Sequence, residues 1–120
     1  MQVRLGLCAG RHEMPVNAYI FDHIDDPMDF DSIESAAYSR IWGLLKDAGV
    51  PRAQAMVGVP GSMDCVTRHV FDCEVLIYVT GLSSALIAAL NALKSMGVRD
   101  VSLMHFDKEA DCYKEQFIVW

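Results

Sequence analysis

The run Val75-Leu76-Ile77-Tyr78-Val79 constrains this chain more than any other segment. A continuous stretch of aliphatic, β-branched and aromatic residues is the pattern of a strand covered on both faces. After Thr80-Gly81-Leu82, the stretch from Ser83 to Met96 carries Leu86, Ile87, Leu90 and Leu93 at helical spacing, with Gly97 as its stop. Val101 to Phe106 reads as another strand, and strand, crossover helix and strand in one sheet form a right-handed parallel βαβ unit. Asp107 to Asp111 then turns the chain, and Tyr113 to Val119 returns as an antiparallel edge strand. The expected fold class is α/β. Residues 1–120 read as a single Rossmann-like or ferredoxin-like domain in two or three layers, with a mostly parallel sheet and a C-terminal antiparallel edge strand.

The N-terminal half is less explicit. Residues 3 to 9 read as a first strand ending at Gly10, and residues 11 to about 30 as a loop with Pro15, Pro27 and carboxylates at Asp22, Asp25, Asp26, Asp29 and Asp31. A helix follows, with Asp31 as its expected cap and Glu34 reaching back to it. Ile33, Ala37, Ile41, Leu44, Leu45 and Ala48 form its apolar face, and Gly49 and Pro51 end it. Gly43 within that helix predicts close packing against a neighbour. Residues 54 to 59 suit a strand stopped by Pro60-Gly61, while 62 to 72 fit a strand or a short helix equally.

Composition narrows the function classes. With 120 residues, 52% apolar and 22% charged, the chain has the balance of a folded globule with one core. Neither the interrupted N-terminus nor the longest apolar run suits a signal peptide or a membrane span. Cys8, Cys65, Cys73 and Cys112 lack zinc or redox spacing and read as reduced, mostly buried thiols, which points to the cytoplasm. A net charge of −6 disfavours gripping long nucleic acid, although one or two donors still hold a phosphate within an acidic protein. The acidic loop around His23 has no metal-site spacing and reads as solvated; no metal and no cofactor are expected.

The strongest local signal for chemistry is Thr80-Gly81-Leu82-Ser83-Ser84. A buried strand running through a glycine and hydroxyls into a helix gathers free N–H groups and the positive end of a helix dipole. Ser83 or Ser84 could equally be an ordinary helix cap. Ligands of open parallel sheets sit outside the carboxyl ends of the strands. If the first strand is parallel to the other two, Gly10-Arg11-His12, Thr80-Gly81 and His105-Phe106-Asp107 meet there. Gly10, Arg11, Thr80, Gly81, Ser83, Ser84 and Asp107 are the candidate ligand-binding residues. Arginine suits a bidentate phosphate contact, and His12 and His105 are the candidate acid–base groups should the ligand be cleaved.

The segment from Leu76 to Leu86, followed by a helix and Val101-Ser-Leu-Met-His-Phe-Asp107, resembles small uncharacterised proteins of bacteria and their phages. More loosely it is similar to the Rossmann-like CARF proteins and small ring nucleases of CRISPR systems, over residues 74 to 119. That resemblance implies a cyclic nucleotide messenger bound at a dimer interface, in host–phage conflict, and supplies no catalytic residue by match. The first expectation is a sensor or sponge for a phosphate-bearing ligand, most of all a signalling nucleotide. A metal-independent phosphodiesterase is the alternative, and a protein-interaction module without a small ligand the third. Trp42 and the terminal edge strand with Phe117 and Trp120 suggest a homodimer or higher homo-oligomer.

Overall fold

The computed structural model describes residues 1–10, 13–57 and 66–120, with backbone alone at 55–57 and 66–69. The elements are β1 (Gln2–Cys8), β2 (Ala18–Phe21), α1 (Phe30–Asp47), β3 (Arg52–Val57), β4 (Val66–Phe71), β5 (Glu74–Tyr78), α2 (Ser83–Ser95), β6 (Asp100–Asp107) and β7 (Cys112–Phe117). Five strands form the main sheet in the order β2-β1-β5-β6-β7, parallel except for the antiparallel β6–β7 pair at one edge. The α/β class with a mostly parallel sheet is the one the sequence predicts. Arg11, His12 and residues 58–65, with the Pro60-Gly61 stop and Cys65, lie outside the described residues.

One apolar cluster joins Val3, Leu5 and Leu7 of β1, Val75 and Ile77 of β5, and Val101 and Leu103 of β6 to the buried residues of both helices. These strand residues alternate, so both helices lie on one face and the architecture has two layers. Ile41, Leu45 and Leu93 are fully buried in it, each stabilising the fold by roughly 1.5–3 kcal/mol through removal from water. The helices meet along small residues. Ala37 of α1 and Ala85, Ala88, Ala89 and Ala92 of α2 are buried, whereas Ile87 is exposed and Leu86 and Leu90 pack only at the margin. The face predicted for α2 is therefore rotated: alanines face the core because they let a second helix approach closely, and only Leu93 of the predicted set is fully enclosed.

Several local expectations change. β2 lies within the segment predicted as loop. Asn17 clips it to β1, its N–H donating to the Arg4 carbonyl while its Oδ1 accepts the Arg4 N–H. Asp29, not Asp31, caps α1, accepting the Ser32 N–H. Asp26 places it there by accepting the Met28 N–H on its side chain and the Asp29 N–H on its carbonyl. Glu34 does not reach back; it accepts from the Asn91 amide of α2 at 3.0 Å. A side chain at Gly43 would meet nothing within 4 Å, so no close neighbour explains that glycine. Gly49 and Gly97 do end their helices, with φ of 73° and 75°, a region other residues rarely enter.

β3 and β4 pair antiparallel with each other and with no strand of the main sheet among the described residues. Phe71 anchors the base of this hairpin, edge-on to Trp42 at 4.9 Å, and the Arg52 guanidinium lies 5.8 Å from the Trp42 ring centre. The last strand ends at Phe117, before the predicted limit, and the Trp120 indole turns back to donate to the Val98 carbonyl. Both tryptophans thus find partners within their own chain. Cys8 and Cys73 are buried as predicted, but Cys112 is exposed on the edge strand. No helix among the described residues is long and apolar enough to cross a membrane.

On the face away from the helices, the Tyr19 ring lies over Gly6 and overlaps the position a Cβ would take there. Gly6→Ala is therefore expected to destabilise the protein by about 1–3 kcal/mol through overpacking. Denaturant melts should show a much smaller loss when the same change is made in a Tyr19→Ala background; equal losses in both would refute the steric account. Burial pushes the Cys73 thiol up to about 11. The unfolded chain releases this proton near pH 9 and the folded one keeps it, so stability is full below pH 9 and falls between pH 9 and about 11. Denaturation at pH 8, 10 and 11 should show a shallower decline in Cys73→Ala than in the parent.

Candidate functional site

β1 and β5 are adjacent and parallel, and the chain leaves them in opposite directions: from β1 toward β2, from β5 through α2 toward β6. The strand order reverses between them. A reversal of this kind opens a crevice at the carboxyl edge, because the two connections diverge. Gly10 follows β1 and Thr80-Gly81 follow β5, so the parallel premise of the sequence reading holds. Arg11 and His12 fall outside the described residues, and the structure places neither.

The start of α2 differs from that of α1. α1 has a carboxylate cap in Asp29 and Asp31 in its first turn. In α2 the cap position is Leu82, in an extended conformation; no side chain caps it, and the first turn holds no acidic residue. Neither Ser83, exposed, nor Ser84, half-buried, fills the capping role that the sequence allowed. Among the described residues the first N–H groups and the positive helix end have no side-chain acceptor. A Cβ at Gly81 would meet nothing within 4 Å, so the approach to this turn is open.

Thr80 adds a second irregularity. Its hydroxyl oxygen is buried without a hydrogen-bond partner, the one such side-chain atom among the described residues. An unmade hydrogen bond of this kind costs about 1–3 kcal/mol. Its neighbour Val79 stays on the ladder, donating to the Met104 carbonyl at 3.0 Å.

The remaining candidates stand on β6. His105 is exposed, and its Nε2 pairs with Gln116 Oε1 of β7 at 2.8 Å. Asp107 is occupied by the β6–β7 turn: its carboxylate accepts the Glu109 and Ala110 N–H groups and pairs with Lys114 Nζ at 2.6 Å. Lys114 first, then these N–H groups, hold its carboxyl below the usual range. Asp107 is therefore a turn residue rather than a free ligand contact. His105 and Asp107 share the strand next to Thr80 without completing an acid–base pair there.

Sequence reasoning missed an aromatic surface. Tyr78 of β5 meets Tyr113 of β7 edge-on at 4.8 Å, and Phe106 of β6 meets Tyr113 at 5.3 Å. Burial raises the Tyr113 hydroxyl, and the hydroxyls of Tyr78 and Tyr19 raise it further. The signal is the alternation in Leu76-Ile77-Tyr78 and Met104-His105-Phe106, which sets Tyr78 and Phe106 on one face; β5 itself is buried from Val75 to Tyr78, as its sequence predicts.

Two open grooves of the described surface lie at the opposite, amino edge of the parallel strands. One of about 300 Å³ is lined by Glu74, Arg99, Asp100, Ser102 and Phe117; another of about 250 Å³ includes Asp72, Cys73, Arg99 and Asp100. Concavity alone favours these. Charge does not, because Asp72, Glu74 and Asp100 outnumber Arg99 and repel an anion. The start of α2, at the carboxyl edge, has no acidic residue in its first turn. His23 and Asp25 pair at 3.0 Å beyond β2, and among the described residues no three side chains are grouped to hold a metal ion. No family model, curated protein or solved structure matches this chain.

Thr80→Val keeps the shape and removes the partnerless hydroxyl. It is expected to raise the stability of the unliganded protein by about 1 kcal/mol. A drop in melting temperature would mean that the hydroxyl has a partner in solution.

Proposed function

We propose that this chain binds a phosphate-bearing small molecule, foremost a cyclic or signalling nucleotide, at the carboxyl edge between β1 and β5. It acts as a sensor or sponge, in the host–phage setting that the sequence resemblance implies. The observation that carries this reading is the bare start of α2 beside the partnerless Thr80 hydroxyl. Helix N–H groups and a hydroxyl are donors that a phosphate oxygen accepts, and a helix N-terminus favours negative charge. Arg11, one residue past Gly10, supplies the guanidinium in this proposal. The net charge of −6 keeps the reading to small ligands rather than long nucleic acid. Enclosure by a second copy would complete so shallow an edge, and a homo-oligomer belongs to the proposal for that reason.

The test is a thermal-shift screen against cyclic dinucleotides, cyclic oligoadenylates and ADP-ribose. A ligand at a hundred times its Kd stabilises by about 2.7 kcal/mol, which is readily seen. Ser83→Asp should reproduce part of that stabilisation, by about 0.3–1 kcal/mol, because it places a carboxylate at the helix start. The same variant should lose the response to nucleotide. No shift with any of these ligands overturns the reading, and recovery of cleaved product by chromatography would make the protein a phosphodiesterase instead.

A further inference from the structure

We propose that the groove where β5, β6 and β7 meet at the amino edge binds a small primary ammonium, independently of the anion site at the carboxyl edge. Strand register gathers its polar groups. Glu74 of β5 is paired with Asp100 of β6, Leu76 with Ser102, and Ser102 in turn with Phe117 of β7. Paired residues and residues two apart share a face of a sheet, so Glu74, Asp100, Ser102 and Phe117 all stand on the face away from the helices. All four line one groove of about 300 Å³.

Two features of this groove have no counterpart within the chain. Glu74 and Asp100 are like charges directly opposite each other on neighbouring strands, an arrangement that destabilises a sheet. Among the described residues no cation pairs with either. Glu74 accepts the Gln2 amide at 3.3 Å, the Arg4 guanidinium is turned to Gln2 Oε1, and Arg99, which also lines the groove, bridges neither carboxylate. Ser102 is the second feature. It is the one fully enclosed polar residue among those described, 2% exposed, and it lines the groove. Its hydroxyl makes no hydrogen bond among the described residues and, unlike that of Thr80, is not sealed off. Neighbouring strands are about 4.8 Å apart and residues two apart on a strand about 7 Å. The three groups thus form a triangle of acceptors, and an ammonium carries three donors to match it. A divalent cation asks for six or more oxygens, which two carboxylates and a hydroxyl do not supply. The Phe117 ring, 72% exposed beside Ser102, offers the carbon stem an apolar wall and the charge a π-face.

Titrations followed by the amide signals of Ser102 and Phe117, read beside melting curves, test this with n-butylamine, n-butanol, tetramethylammonium, Mg²⁺ and Nα-acetyl-lysine amide. Butylamine is expected to shift both signals in the parent and to raise its melting temperature. Tetramethylammonium keeps the charge but has no N–H donor, so it should bind about tenfold or more weakly. Butanol should leave the signals unchanged. Glu74→Gln, Asp100→Asn and Ser102→Ala should each weaken butylamine about fivefold or more. Without ligand, Glu74→Gln and Asp100→Asn should melt above the parent, because each removes one of two facing like charges. No response to butylamine, equal binding of tetramethylammonium, or variants that bind butylamine as the parent does overturns the proposal. A response to Mg²⁺ with none to butylamine overturns it in favour of a metal ion. Nα-acetyl-lysine amide carries the same butylammonium. Binding about tenfold tighter than butylamine would overturn the small ligand and make the groove a docking site for a partner's lysine, whereas equal or weaker binding supports the free amine. None of the variants touches the carboxyl edge, so the phosphate reading stands or falls on its own screen.

Discussion

The parallel pairing of β1 with β5 is the constraint on which the other features depend. It joins Gln2–Gly6 to Glu74–Tyr78 across most of the chain. The Glu74 N–H to Met1 carbonyl bond, at 2.9 Å, closes its lower end. Bringing such distant segments together is entropically costly, and the return comes from apolar burial on the helix face, where Leu5, Val75 and Ile77 are fully enclosed. The same pairing sets the point where strand order reverses. Were β1 not beside β5, Gly10 and Thr80 would belong to separate surfaces. Fold and candidate site are thus two results of one pairing.

The C-terminal half was legible because its signals were redundant. Hydrophobic run, glycine, periodic helix and second run all agreed, and β5, α2, β6 and β7 follow within a residue or two. β2 was hidden for a physical reason: four residues, Ala18-Tyr-Ile-Phe21, sit between two prolines and among aspartates, too few for alternation to register. Its pairing depends on Asn17, a contact with Arg4 that no local pattern encodes. The inner face of α2 was misread because alanine is a weak apolar signal. The helix uses alanine for closeness rather than for bulk, and spacing rules that follow the largest side chains point to the margin instead.

The candidate site was legible as a place and less so as a set of contacts. Parallel strands ending at a glycine turn can be read from the chain, and so can the helix that follows. Whether a serine caps that helix depends on the conformation of Leu82, which is set by the tertiary path from β5. Asp107 shows the reverse case. An aspartate at the end of a strand reads as available, yet the turn that follows occupies its Oδ1 and Lys114 of β7 takes its Oδ2. The aromatic surface required the register of three strands at once, since Tyr19, Tyr78 and Tyr113 come from widely separated parts of the sequence.

The β3–β4 hairpin has a bearing on how this chain can vary. It occupies the path from the end of α1 to the start of β5 but adds no strand to the main sheet. Its two ends are held together at the base, where the Asp72 N–H reaches the Pro51 carbonyl at 2.9 Å and Phe71 donates to Met96. The chain therefore leaves and re-enters the body at nearly one point. An excursion closed in this way can lengthen, shorten or be replaced while the register of β5 on β1 stays as it is. Changes of length beyond Arg52 and Val70 are compatible with that register, whereas Phe71, buried against Trp42, is tied to the body.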